Sequence, residues 1–183
     1  MSVARRFALL ATIAVAISWI GFAISIYPSL PTEIATHFGP NGVADRYTST
    51  SVGSWFTITI IGACTTALTL SLAQLTHARP ELYNIPGKIE LLSLPAERQQ
   101  PFLEEMAVRM TLMSLAMVVL FAGIQYDMWR VAVSSQRGLS AVSFAAMTLS
   151  LGGLAIGTPL WLVSFRKRVV AESTRVMNAR RQS

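Results

Sequence analysis

The stretch FALLATIAVAISWIGFAISIY, Phe7 to Tyr27, decides the fold, because 21 consecutive residues pass without a charge. A helix needs roughly 20 mostly apolar residues to cross about 30 Å of hydrocarbon, where every backbone amide must be satisfied within the segment itself. Three further stretches meet that requirement: about Ser54 to Leu75, about Met106 to Tyr126 and about Ser140 to Phe165. A hydrophobic fraction of 52%, a charged fraction of 13% and a mean hydropathy of +0.50 are too apolar for a soluble domain of this length. The expectation is an all-α integral membrane protein with four transmembrane helices.

The chain then divides into residues 1–165, a four-helix transmembrane domain with an outer loop at 28–53 and an inner loop at 76–105, and a basic tail at 166–183. No separate soluble domain has room for a core of its own. Arg5 and Arg6 ahead of the first stretch, with Ala14-Val15-Ala16 inside it, faintly resemble a signal peptide. The apolar run outlasts a usual h-region of roughly 7 to 15 residues, which favours a retained anchor. Cys64, the single cysteine, excludes an internal disulfide and a cysteine-based zinc site, and is expected to be a small packing residue.

Charge sets the expected orientation. Arg5, Arg6, Arg79, Lys88, Arg98, Arg109, Arg166, Lys167, Arg168, Arg175, Arg180 and Arg181 fall on the side of the termini, and only Arg46, Arg130 and Arg137 on the other. By the positive-inside tendency both termini are cytoplasmic, and the loop carrying Leu30 to Asp45 is extracytoplasmic. Glu33, Asp45 and Asp127 balance the three outer arginines, so the net charge of +6 belongs to the inner side. There it favours anionic lipid head groups by about 1 kcal/mol per basic residue near the surface. The tail, with six basic residues against Glu172, fits lipid rather than nucleic acid.

Within the outer loop, Leu30-Pro31 stops the first span, and Thr32 is placed to cap a short helix through Glu33, Ile34, Ala35 and Thr36. Gly39-Pro40-Asn41-Gly42 is a dense turn. Ile34 and Phe38, four apart, are expected to share an apolar face on the membrane surface or the mouth of the bundle. His37 and Asp45 flank the turn within reach of a mutual hydrogen bond. Three readings of that pair stand: a staple that fixes the loop, contacts for an extracellular peptide or partner protein, and a metal site. One His, one Asp and Glu33 make a weak ligand set for the last, and the loop holds no nucleophile, base and orienter together. No metal, cofactor or catalytic residue is expected.

Leu30, Pro31, Ile34, His37, Phe38, Gly42 and Asp45 resemble the signature of the SdpI-type family of bacterial immunity and signalling membrane proteins, and their N-terminal domain of unknown function. The chain departs from that pattern at Ala35, Gly39 and Thr50, where the family has Pro, Asn and Lys. Asn84, Pro86 and Lys88, then Glu97 and Arg98 after Pro95, are similar to the family's inner-loop motif, without the aromatic that usually separates the two pieces. The resemblance covers about residues 7 to 130. It implies a non-enzymatic protein of the bacterial cytoplasmic (inner) membrane that protects against a secreted toxin, with the outer loop facing the toxin. Some members also hold a transcriptional repressor at the membrane, which would be met by the inner loop and tail. The alternative is an accessory subunit that binds and stabilises a larger membrane protein complex.

The spans carry no ionisable residue in their middles, which disfavours a proton-coupled transporter or an intramembrane protease. Arg109 is expected to snorkel at the inner end of the third span, and Asp127 to sit at its outer end beside Trp129. The second span, with Thr57, Thr59, Thr65, Thr66 and Thr69 beside Gly62 and Ala63, suits close helix packing. So does Gly153-x-x-x-Gly157 in the fourth, within the bundle first and against a partner second. Pro159 is expected to kink that span. Leu91, Leu92 and Leu94 in the inner loop, followed by Phe102, Leu103 and Met106, fit an amphipathic helix on the membrane surface or a solvated connector.

Overall fold

A computed structural model describes residues 1–134 and 136–182; Ser183, the last residue of the expected tail, lies outside them. Among the described residues four helices are long and apolar enough to cross a membrane, as expected. The first, α1, spans Val3–Ile26, started by Ser2, whose hydroxyl accepts from the Arg5 amide. Pro28 ends it, and Tyr27–Ser29 tighten into a 3-10 turn. The second long helix, α2, spans Val52–Ala78. Ser51 and Ser54 cap it reciprocally, each side chain bonding the other's backbone. It stops at Ala78, and Arg79 just before Pro80 leaves the helical conformation, as residues ahead of proline tend to do.

After a short helix α3 at Lys88–Ser93, α4 runs unbroken from Ala96 to Val133. It is the axis of the molecule, packed against α1, α2 and α5 (Ala141–Gly152). The fourth apolar helix continues from α5 through a π turn at Gly153–Gly157 into α6, Thr158–Gln182. The expected effect of Pro159 therefore takes the form of a widened turn: proline lacks the amide that would close an ordinary turn, and the backbone accommodates it just upstream.

The all-α expectation is corrected in the outer loop. Residues 33–36 are not helical; Glu33–Phe38 form a strand, β1, paired antiparallel with β2 at Ala44–Ser49. The ladder is irregular around His37, where the register shifts on either side.

The buried face of α2 runs through Trp55, Thr59, Gly62, Thr66 and Ala73. Its tightest approach is at Gly62, where an added Cβ would lie 2.4 Å from the Trp19 ring and 2.7 Å from Phe121. Close packing between spans thus occurs in the second span as expected. It does not occur at Gly153 and Gly157, whose absent Cβ atoms would meet nothing within 4 Å. That expectation of intramolecular packing is overturned, since the residues lie in the π turn with open space before them. Cys64 is exposed on the far face of α2 and is not a packing residue.

Two apolar clusters close the ends of the bundle. At one end Ile34, Trp55 and Met128 are buried together. At the other, which bears both chain termini, Leu91, Leu94, Leu103 and Met106 enclose Phe165 and Val169. The inner loop packs Leu91 and Leu94 against α6, while Leu82 and Leu92 stay exposed. That helix passes through position 166 without interruption, and its tail portion buries Val169 and Ser173.

Between the clusters, Gln125 is the polar key of the bundle. Its carbonyl accepts from the Trp19 indole at 2.8 Å and the Thr59 hydroxyl at 2.7 Å, and its amide donates to the Trp55 carbonyl at 3.1 Å. One side chain on α4 thereby fixes the rotation of α1 and α2 against it.

Candidate functional site

The hairpin is the best-defined surface feature. Gly42 sits at φ +76°, a conformation open to glycine and costly for other residues, and its amide bonds the Gly39 carbonyl at 2.8 Å. Asn41 accepts from the Val43 amide across the turn. At the base, the Thr50 amide donates to the Thr32 carbonyl at 2.8 Å and its hydroxyl to the Pro31 carbonyl at 2.5 Å. Thr50 is thus the latch of the hairpin. The tip is stitched to the segment after α4: the Ala44 amide bonds the Arg137 carbonyl, and the Leu139 amide bonds the Gly42 carbonyl. Gly138 permits this, since a Cβ there would lie 2.4 Å from the Gly42 oxygen.

Asp127 anchors that segment from below. It is fully buried, pairs with Arg130 at 3.0 Å and accepts the Ser140 amide at 3.1 Å, while Arg130 donates to the Gly138 carbonyl at 2.7 Å. Sequence reasoning placed Asp127 at the outer end of its span and missed this clasp, as it missed Gln125. An aspartate ahead of an arginine one turn later was the available signal for the first. Nothing local announced the second.

The seven outer-loop residues come together. Ile34 is fully buried in the end cluster, and Leu30 and Phe38 pack against it, so these residues do cap the mouth of the bundle. They do so from a strand rather than a helical turn. Pro31 supplies the carbonyl that Thr50 grips. His37 and Asp45 face one another across the hairpin, with Nδ1 2.5 Å from Oδ1. Both side chains are about half exposed, at 54% and 51%. An ionised carboxylate only accepts, so Nδ1 is the donor of this bond. Gly39 leaves room for that carboxylate, which a Cβ would approach to 3.1 Å.

Beneath the hairpin, between it, α2, α4 and α5, lies a recess of about 470 Å³. Its rim is polar, with Thr36, His37, Thr48 and Thr57, and its floor is apolar, with Ile58, Ile124, Met128 and Met147. Ligand sites commonly combine an apolar floor with a few directional polar groups in this size range. Among the described residues no group of three His, Cys, Asp or Glu side chains is placed to hold a metal ion.

The inner-loop residues lie at the opposite end. Gly87, at φ +85°, starts α3; the Lys88 ammonium donates to the Glu81 carbonyl, and Arg98 pairs with Glu172 of α6 at 2.8 Å. Asn84, Pro86 and Glu97 are exposed. The two motifs are therefore not parts of one site.

Residues 13–62 match the model of a family described as a domain of unknown function, DUF1648, a domain found in SdpI-like membrane proteins. The matched segment takes in most of α1, the whole hairpin and the first half of α2. Neither a curated protein nor a solved structure matches the chain.

Proposed function

We propose that this chain is a non-enzymatic multi-pass protein of the bacterial cytoplasmic membrane, of the SdpI type, that binds a peptide or protein partner with its hairpin in immunity or signalling. In this reading the termini are cytoplasmic and the hairpin is extracytoplasmic, in keeping with the twelve-to-three division of basic residues. The observation that carries the proposal is the recess under a latched hairpin. A loop tied at its base, its tip and its middle presents a preorganised surface, which lowers the ordering cost of binding. Its polar rim and apolar floor suit an amphipathic segment of a partner.

The test replaces His37 and Asp45 together with alanine and measures protection of cells against secreted peptide toxins, alongside the amount of protein in the membrane. Loss of protection at an unchanged membrane level is expected. Unchanged protection sinks the proposal.

A second reading, an accessory subunit of a larger membrane complex, draws support from the fourth apolar helix, whose most apolar window has 0% of its residues buried against 22% in each of the others. Copurification in mild detergent separates the two. A stoichiometric large complex favours the subunit, and a free monomer or homodimer favours the stand-alone binder.

A further inference from the structure

A second recess of about 500 Å³ lies between α4 and the fourth apolar helix, toward the end that bears the termini. Met106, Met110 and Met113 form one wall, and Leu149 and Leu154 lie opposite. The π turn widens the groove, since Gly153 and Gly157 line it without side chains and nothing approaches within 4 Å of where a Cβ would be. Both walls belong to helices long and apolar enough to cross a membrane, so hydrocarbon rather than water is the natural filling.

The groove has one charged residue in its lining. Arg109 is exposed, and its guanidinium lies 4.8 Å above the Trp161 ring. Trp161 is itself fixed, because its indole donates to Glu105 at 2.6 Å. The carboxylates nearby in the sequence are already engaged. Glu104 holds the buried Arg5 at 3.2 Å, His77 at 2.9 Å and the Ser2 amide at 2.6 Å. Glu105 takes both guanidinium nitrogens of Arg168, at 2.8 and 2.7 Å. Among the described residues Arg109 makes no ion pair of its own.

We propose that this groove binds an anionic phospholipid, one acyl chain lying against the methionine wall and the phosphate seated on Arg109. A guanidinium matches a phosphate with two parallel hydrogen bonds and is held flat by the aromatic face beneath it. The lipid supplies what the site lacks, an apolar tail joined to one negative charge. The assignment is independent of the hairpin's function.

The experiment uses the full chain in detergent, depleted of lipid and titrated with phosphatidylglycerol or phosphatidylcholine carrying brominated chains, with tryptophan fluorescence as the readout. Of the other tryptophans, Trp19 and Trp55 are buried, at 3% and 0% exposure, and Trp129 lies at the hairpin end, so subtraction of a Trp161→Phe variant isolates the signal of Trp161. Quenching of Trp161 is expected to saturate at one lipid per chain, with phosphatidylglycerol about fivefold tighter than phosphatidylcholine, the equivalent of one surface charge. Arg109→Gln should abolish that preference. Gly157→Leu, placed where the space is open, should abolish saturable quenching by either lipid. Unsaturable quenching, equal affinity for the two lipids, or a preference that survives Arg109→Gln overturns the proposal.

Discussion

The two ends of this molecule are closed by apolar clusters of similar make, but they are tied down by different chemistry. At the hairpin end, above the buried Asp127–Arg130 pair, the ties between segments are backbone hydrogen bonds: Thr50 to Thr32, Ala44 to Arg137 and Leu139 to Gly42. At the terminal end, apart from the buried Arg5–Glu104 pair, they are exposed ion pairs between distant elements: Arg168 with Glu105 and Arg98 with Glu172. Backbone bonds fix a shape whatever the surrounding salt, whereas exposed ion pairs contribute little and are screened. The hairpin end is thus built as a fixed surface, and the terminal end as an adjustable junction around Phe165.

The sharpest way to break this contrast is to hollow out one end. Phe165→Ala should cost about 3–5 kcal/mol, the range for a large aromatic in a closed core. The loss should fall on the amides of α3 and α6 in hydrogen exchange, with the protection of β1 unchanged; equal loss at both ends would show them to be one cooperative unit. Next comes Gly138→Ala, which drives a methyl group into the Gly42 carbonyl. It should cost about 1–3 kcal/mol, as overpacking does, and free the hairpin tip while leaving α3 intact. The smallest effect is that of salt. Raising it to about 1 M shortens the screening length to about 3 Å. That should weaken exchange protection at the terminal end by less than about 1 kcal/mol and leave the hairpin ladder unaffected. A salt-sensitive hairpin would refute the distinction.

The spans were legible because a bilayer imposes length and composition directly on sequence. The His37–Asp45 pair was legible because its partners lie only eight residues apart around a turn. The hairpin itself was not. Ile34 and Phe38 are four apart, an even spacing that keeps them on one side of a strand just as it does on a helix, and Thr32 after a proline imitated a helix start. The strand wins through contacts no local pattern carries: Thr50 latching Pro31, and Gly138 admitting the tip from nearly a hundred residues away. Long separation also hid Arg5, which looked like a flanking charge until Glu104 enclosed it. Gly153 and Gly157 misled in the opposite sense, since small residues four apart arise easily in apolar sequence and need not face anything.

Helix α4, with its 38 residues, would measure about 57 Å, well beyond the hydrocarbon it has to cross. Its charged fixings lie toward its two ends. Glu105 and Asp127 are 22 positions apart, about 33 Å of helix, and each is bonded to a neighbouring element rather than left free to slide. The molecule therefore carries its own gauge of membrane thickness. In a markedly thinner bilayer it must tilt or pinch the lipid around it, because neither polar collar can be drawn inward without dragging the hairpin or the α6 junction along.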